Sequence, residues 1–474
     1  MISVRHIRIF LGDNDPMLRP HSPRRYNPPA APEPPPAAEP DAGNSGLLRL
    51  EAVHGLPAHA ALLVACATVE VNEASHRAVD AALSLPGLDW PAAVRASIRH
   101  GVAPLVALHL QSFAADPRIP PEVAACFDRI YRANAARNQV IFRETARLAR
   151  ALAEAGIPFL VLKGVALALT VYPDPTLRHF ADLDILVAPQ DFQAACTVAE
   201  ACGFKQEVKE VISRSHHIPY LYVCAEDIFS GTVAPEFDSS LTPELLSRHG
   251  HQFRVEIHHG LFCLLGGIVR NVDLAPFWQE AQKTALPDGT SVRLPSPEPM
   301  LVHLAAHAAS HLYGRLLYPI DAAQVIHCYS TQIDWDWLIE LASRCGESAS
   351  VYRLMTLAQQ FGAEIPAQTL HRLREAPGGK AARHPLLLTQ IFKVDPKDHS
   401  VQMWQQWRML GNTRDRLTAL RYVLFPPAPI LRAVYGIESP YLLPPLYLYR
   451  PLHVAWRLVR ILLRRAKSHL PEQH

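Results

Sequence analysis

The 474-residue chain has no C-x-x-C pair, no G-x-S-x-G, no P-loop and no G-x-G-x-x-G. Those absences remove the dithiol, serine-hydrolase, Walker-type and dinucleotide-binding signatures. Eight cysteines are too few for a disulfide scaffold of this length. They are expected as buried thiols in a reducing compartment, hence a cytoplasmic protein. No uninterrupted apolar run approaches the ~20 residues of a membrane span, and the first residues show no signal-peptide pattern. Charged residues are scarce at 19%, and 46 basic side chains nearly balance 44 acidic ones. A broad electrostatic surface for nucleic acid is therefore not indicated.

What the chain does have is apolar content, 49%, enough for a sizeable core and for about three domains. Residues 1–46 form a Pro/Ala-rich stretch, with Pro34-Pro35-Pro36 at its centre. Such composition favours a solvated, disordered tail. Residues 47–155 read as helical, with apolar spacings of three and four and a long helix from about Pro120 to Ala155. Pro121 marks its first turn and Gly156 its stop. Arg132, Arg137, Arg143 and Arg147 along it are expected on a solvated face.

Residues 156–296 change character. Ile157–Leu162 suits a buried strand, Val165–Tyr172 a helix, Leu183–Val187 a second strand, Gln190–Cys202 a helix and Phe253–Leu261 a third strand. Residues 205–250 show no sustained period and read as an irregular insertion. Residues 297–474 are helical again, with apolar stripes over Leu301–Tyr318, Ile320–Tyr329, Trp335–Cys345 and Val351–Phe361. The expected fold class is α+β: a small mixed sheet between two helical regions.

The residues with chemical potential cluster in the α/β part. Asp182 and Asp184 open an apolar strand, so alternation points both carboxylates one way. Paired carboxylates repel unless a cation sits between them, and oxygen ligands of this kind suit Mg²⁺. The alternative is a pair of solvated acids. Lys163-Gly164 joins a strand to a helix. There, backbone N–H groups, the lysine charge and a side-chain-free residue could cradle a phosphate. On that reading Gly164→Val would weaken nucleotide binding and change stability by no more than about 1–2 kcal/mol. The alternative is an ordinary turn. In Arg254-Val255-Glu256-Ile257-His258, alternation puts Arg254, Glu256 and His258 on one face. Glu256 could complete a three-carboxylate site for two metal ions, or sit exposed beside Arg254.

The block Leu162-Lys163-Gly164, Tyr172-Pro173, Arg178, Asp182-Leu183-Asp184-Ile185-Leu186-Val187 and Gly203-Phe204 resembles the uncharacterised nucleotidyltransferase family of the polymerase-beta-like superfamily. Val255–His258 is similar to its third-carboxylate strand, and Leu301–His311, Asp321 and Asp334-Trp335 to its helical C-terminal region. The resemblance spans roughly residues 50–460 and is sharpest over 157–187. It implies a transferase that moves a nucleoside monophosphate from an NTP to an acceptor with Mg²⁺, two ions being expected. Asp182, Asp184 and Glu256 match the metal-binding and catalytic acids. Lys163, Gly164 and Arg178 are the expected nucleotide-binding residues. Lys163-Gly164 departs from the superfamily's Gly-Ser, whose serine usually contacts the triphosphate.

The resemblance leaves the acceptor open among a small molecule, tRNA and protein. It also leaves open a toxin-like transferase, or a non-catalytic NTP-binding or partner-binding module on the same fold. His303, His307 and His311 share one helix face. With no acid among the intervening Leu304–Ala306 the metalloprotease pattern fails. A buried histidine stripe lining the cleft is expected rather than a zinc site. Asp321 could cap a helix or pair with Arg315. Arg457, Arg460, Arg464, Arg465 and Lys467 make the last helix basic, a face for solvent, an anionic surface or RNA.

Overall fold

The computed structural model describes residues 55–206, 217–223, 252–263, 270–377, 388–392, 407, 413–437 and 439–468. The tail over 1–46 lies outside them, as does most of the 205–250 insertion.

Five helices open the fold: α1 (Ala58–Ala65), α2 (Glu73–Leu83), α3 (Trp90–His100), α4 (Ala103–Gln111) and α5 (Pro121–Glu154). Their ends follow local chemistry. The Asn72 side chain accepts from Ser75 N while Ser75 Oγ accepts from Asn72 N, each at 2.9 Å, a reciprocal cap on α2. Asp89 caps α3, and Gly101, at φ 74°, ends it. The 34-residue α5 starts on Pro121 and stops before Gly156, whose φ of 69° only glycine adopts without cost.

The α/β part runs β1 (Phe159–Leu162), α6 (Lys163–Thr170), β2 (Asp182–Val187), α7 (Phe192–Ala201), β3 (Lys205–Gln206), β4 (His217–Val223) and β5 (Gln252–His258). The sheet order is β1-β2-β5-β4-β3. β1 and β2 are antiparallel, β2 and β5 parallel, and β4 runs antiparallel to both β5 and β3. The mixed sheet of the sequence reading is present. β3 and β4 fall where that reading saw only irregular chain. A short helix α8 (Ala275–Gln279) and a hairpin of β6 (Gln282–Ala285) and β7 (Ser291–Leu294) follow. The hairpin had a signal, Asp288-Gly289 with Gly289 at φ 85°, but strands of four residues carry little periodicity.

The C-terminal region begins with α9 (Pro297–Ser310), α10 (Leu317–Cys328), α11 (Trp335–Arg344), α12 (Ser348–Gln359) and α13 (Ala367–Glu375). After these come α14 (Leu388–Ile391), α15 (Thr413–Leu424), α16 (Ala428–Tyr435) and α17 (Leu443–Ser468). The single stripe read over Leu301–Tyr318 is broken, because Leu312 and Tyr313 both turn left-handed at φ 56°. α17 is helical, but the side chains of Arg457, Arg460, Arg464, Arg465 and Lys467 lie outside the described residues. Among the described residues no helix is long and apolar enough to cross a membrane, and no disulfide joins any of the described cysteines.

One core runs from the N-terminal helices through the sheet to α14. Leu160, Leu162, Leu183, Leu186, Val255 and Ile257 are all fully buried in it. Part of the polar side of α5, Asn134, Arg137 and Asn138, is also buried, which corrects the expectation for Arg137. Arg137 Nη1 meets His179 Nδ1 at 2.9 Å. Tyr131 donates to Asp174 at 2.8 Å, and Asn134 and Asn138 donate to the carbonyls of Thr176 and Pro175 at 2.7 and 2.8 Å. The turn between α6 and β2 is thereby fixed. Arg132 and Arg143 do face solvent, whereas Arg147 donates to Glu144 and to the Cys202 carbonyl.

Gly164 is the tightest point of this turn. A Cβ there would lie 2.8 Å from Phe180 Cβ and 3.1 Å from Arg178 Nη1. Its missing side chain therefore serves packing, which corrects the small stability cost inferred from sequence. Phe180 is buried at its own Cβ and cannot swing aside, so Gly164→Val is an overpacking change worth about 1–3 kcal/mol or more. Urea unfolding should show that loss with no nucleotide present. A midpoint equal to the parent's would disprove the close-packing role.

Candidate active site

The register of three strands builds the site. Leu162 of β1 lies opposite Asp184 of β2, so the next residue, Lys163, starts beside that aspartate. Asp184 in turn lies opposite Glu256 of the parallel strand β5, and Asp182 opposite Arg254. Alternation keeps Asp182 and Asp184 on one face and Glu256 and His258 on that same face.

The side chains converge. Lys163 Nζ is 2.6 Å from Asp184 Oδ1, and His258 Nε2 is 2.8 Å from that same oxygen. His258 Nε2 also lies 3.6 Å from Glu256 Oε2. Lys163, Asp184 and His258 are 6%, 1% and 2% exposed, so these charges meet in a low dielectric. Burial pulls the Lys163 ammonium down, but Asp184, Glu256 and Asp182 outweigh it and leave the pKa above its ordinary value. His258 is likewise depressed by burial and, on balance, raised by its bonds to Asp184 and Glu256. Asp182 is only partly buried. Desolvation, then the charge of Asp184, lift its pKa from the ordinary 3.8 to about 6 against the pull of Lys163.

Lys163 also has an unusual backbone, with φ at 42°. A left-handed conformation costs a residue with a Cβ roughly 1–2 kcal/mol. Strain of this kind persists where the surroundings hold it, commonly at functional sites.

The structure places Arg178 differently from the open phosphate ligand expected. Its Nε and Nη2 donate to Asp321 Oδ1 and Oδ2 at 3.0 and 2.7 Å, and Nη1 donates to the His179 carbonyl. Tyr172 adds a third bond to Asp321 Oδ1 at 2.8 Å. Arg178 and Asp321 are both buried, so the fork fastens α10 to the chain entering β2. Asp321 thus neither caps a helix nor pairs with Arg315.

The histidines of α9 stand beside the cluster, close enough to feel the charge of Lys163. His307 and His311 meet edge to face at 4.7 Å between ring centroids, and Tyr318 stacks on His311 at 6.1 Å. Burial first, and the charge of Lys163 among other causes, push His303 and His307 well below the ordinary imidazole pKa. Burial, then Arg315 and Lys163, lower His311 to about 4. These imidazoles are held neutral. They run along the helix instead of converging on a point, and among the described residues they form no cation-binding group.

Among the described residues, Asp184, Glu256 and His258 form the group able to hold a cation, each offering one ligand atom within 4.8 Å of the others. Asp184 Oδ2 is buried with no hydrogen-bond partner. An orphaned carboxylate oxygen beside a second carboxylate fits a hard divalent ion. From sequence His258 was put on the face of Glu256 but given no site role, although that spacing was the available signal. The Arg178–Asp321 contact, spanning 143 positions, had none.

A family model described as uncharacterised nucleotidyltransferase matches residues 86–363, more than half of the chain. No curated protein and no solved structure matches it.

The raised pKa of Asp182 has a consequence for stability. Between pH 4 and 6 the folded chain retains a proton that the unfolded chain has released, so stability falls as pH rises through that window. Asp182→Asn removes this partly buried charge. In chelator, the variant should unfold at higher urea than the parent at pH 7.5, with the gap closing toward pH 4. A parent that is the more stable of the two at pH 7.5 would contradict this electrostatic account.

Proposed function

The chain belongs to the uncharacterised nucleotidyltransferase family, and on that premise we propose that it is a Mg²⁺-dependent enzyme transferring a nucleoside monophosphate from an NTP to an acceptor. The polymerase-beta-like superfamily is the wider group to which this reading assigns it. The observation that carries the proposal is the in-register meeting of Asp184 and Glu256 beside the Lys163 ammonium at the start of α6.

Asp184 and Glu256, with Asp182 at the cleft's edge, would hold Mg²⁺. When bound, the ion supplies positive charge to the phosphate oxygens. Lys163 and the first N–H groups of α6 would orient the triphosphate. Arg178 acts one step removed, by fixing the turn that carries α6 into β2. The acceptor oxygen attacks the α-phosphorus and forms the new P–O bond. The bond to the bridging oxygen breaks, and pyrophosphate leaves with the electron pair. Glu256 would take the acceptor's proton. Catalysis is then mainly positioning and electrostatics. The neutral histidines and Tyr318 wall the cleft without adding charge that would compete with Lys163. The acceptor belongs to the small-molecule, tRNA or protein classes.

The test uses each of the four NTPs labelled at the α-phosphate, with Mg²⁺ and a cell extract. Label should pass to an acceptor, with pyrophosphate released. Asp184→Asn or Glu256→Gln should lower transfer on the order of 10²–10³-fold, as loss of one preorganised electrostatic group does. Release of orthophosphate with no label transfer would refute nucleotidyl transfer.

A further inference from the structure

Asp184 has two carboxylate oxygens in different circumstances. Oδ1 takes both the Lys163 ammonium at 2.6 Å and the His258 ring at 2.8 Å. Oδ2 is buried and has no hydrogen-bond partner. A pair of metal ions about 3.5–4 Å apart needs a carboxylate that offers both ions a donor. Here one oxygen is already filled by a fixed cation of the chain itself.

We propose that the Lys163 ammonium takes the place of the second metal ion, so that the site binds one divalent cation, at Asp184 Oδ2 and Glu256, instead of two. The inference rests on the nucleotidyl-transfer reading and deepens it.

Charge balance points the same way. Without nucleotide, three carboxylates are already balanced by the ammonium and one divalent ion before the His258 ring is counted, so the cluster's own acids call for no second ion. Geometry does too. Lys163 is the first residue of α6, next to Leu162, which pairs with Asp184. Its left-handed φ of 42° is paired with an ammonium seated on Asp184. A lysine serving only as a mobile phosphate contact would not need a buried stem and a fixed aspartate partner. The ammonium is a point charge with three donors. It can hold Asp184 with one and offer another to a triphosphate oxygen, as a metal ion there would do by coordination.

The test counts ions instead of turnover. The full chain is loaded with Mn²⁺ and the α,β-methylene analogue of each NTP, and free analogue with its chelated ion is removed by rapid gel filtration. The Mn²⁺ retained per chain is counted by EPR after acid release, with the spectrum before release read for spin coupling. The expected count is one per chain for the parent and for Lys163→Arg, without spin coupling between ions. Lys163→Met removes the ammonium and leaves only the His258 ring on Oδ1, so a second ion should enter in the ammonium's place and raise the count to two. Two ions in the parent overturn this inference alone and leave the transferase reading standing. A count of one in both parent and Lys163→Met also overturns it, because the ammonium would then not be what excludes the second ion. No Mn²⁺ bound with any analogue overturns both. Should Lys163→Met fail to fold, the parent's count decides by itself.

Discussion

The parallel pairing of β2 with β5 is the constraint on which the rest depends. It sets Asp184 directly across from Glu256 and brings His258 within 2.8 Å of Asp184. A slip of one residue would turn Glu256 and His258 to the opposite face of the sheet and replace them with Val255 and Ile257, both fully buried in the core. The hydrophobic demand on one face thus guarantees the polar cluster on the other. Like charges held this close need a counter-charge in place, and Lys163 is delivered by the strand on the far side of β2.

A second buried ion pair gives the cluster its rigid frame. Arg178 and Asp321 join the turn before β2 to α10, while the asparagines of α5 hold the same turn from the other side. Breaking a buried pair of this kind typically costs ~3–5 kcal/mol, since the remaining charge is stranded. The two ion pairs divide the work. One sits in the cleft with an unused carboxylate oxygen, and the other is fully satisfied and structural. Gly164 lies between them, where the absence of a side chain lets Arg178 and Phe180 approach.

Much of this was legible in the sequence for a physical reason. A strand buried on one face must alternate, so Asp182-Leu183-Asp184 and Val255-Glu256-Ile257-His258 announce their faces, and Pro121 and Gly156 announce the ends of α5. What was hidden is non-local. Nothing near Arg178 in sequence marks Asp321, and Arg137 looks like any surface arginine until His179 is folded against it. The hairpin β6–β7 was too short for period, and the two left-handed residues after α9 interrupt a stripe that reads as continuous. Gly164 was read as making room for a phosphate, and its close contact with Phe180, which gives it a packing role, had no local signal.

The central claim is that the Asp184–Glu256 cluster is where a metal-bound nucleotide reacts. Anomalous diffraction from crystals grown with Mn²⁺ and a non-hydrolysable NTP analogue tests it most directly. The account predicts an anomalous peak at coordination distance from Asp184 Oδ2 and Glu256, with the triphosphate running toward Lys163. A nucleotide bound elsewhere, with Asp184 still holding only Lys163 and His258, would contradict it.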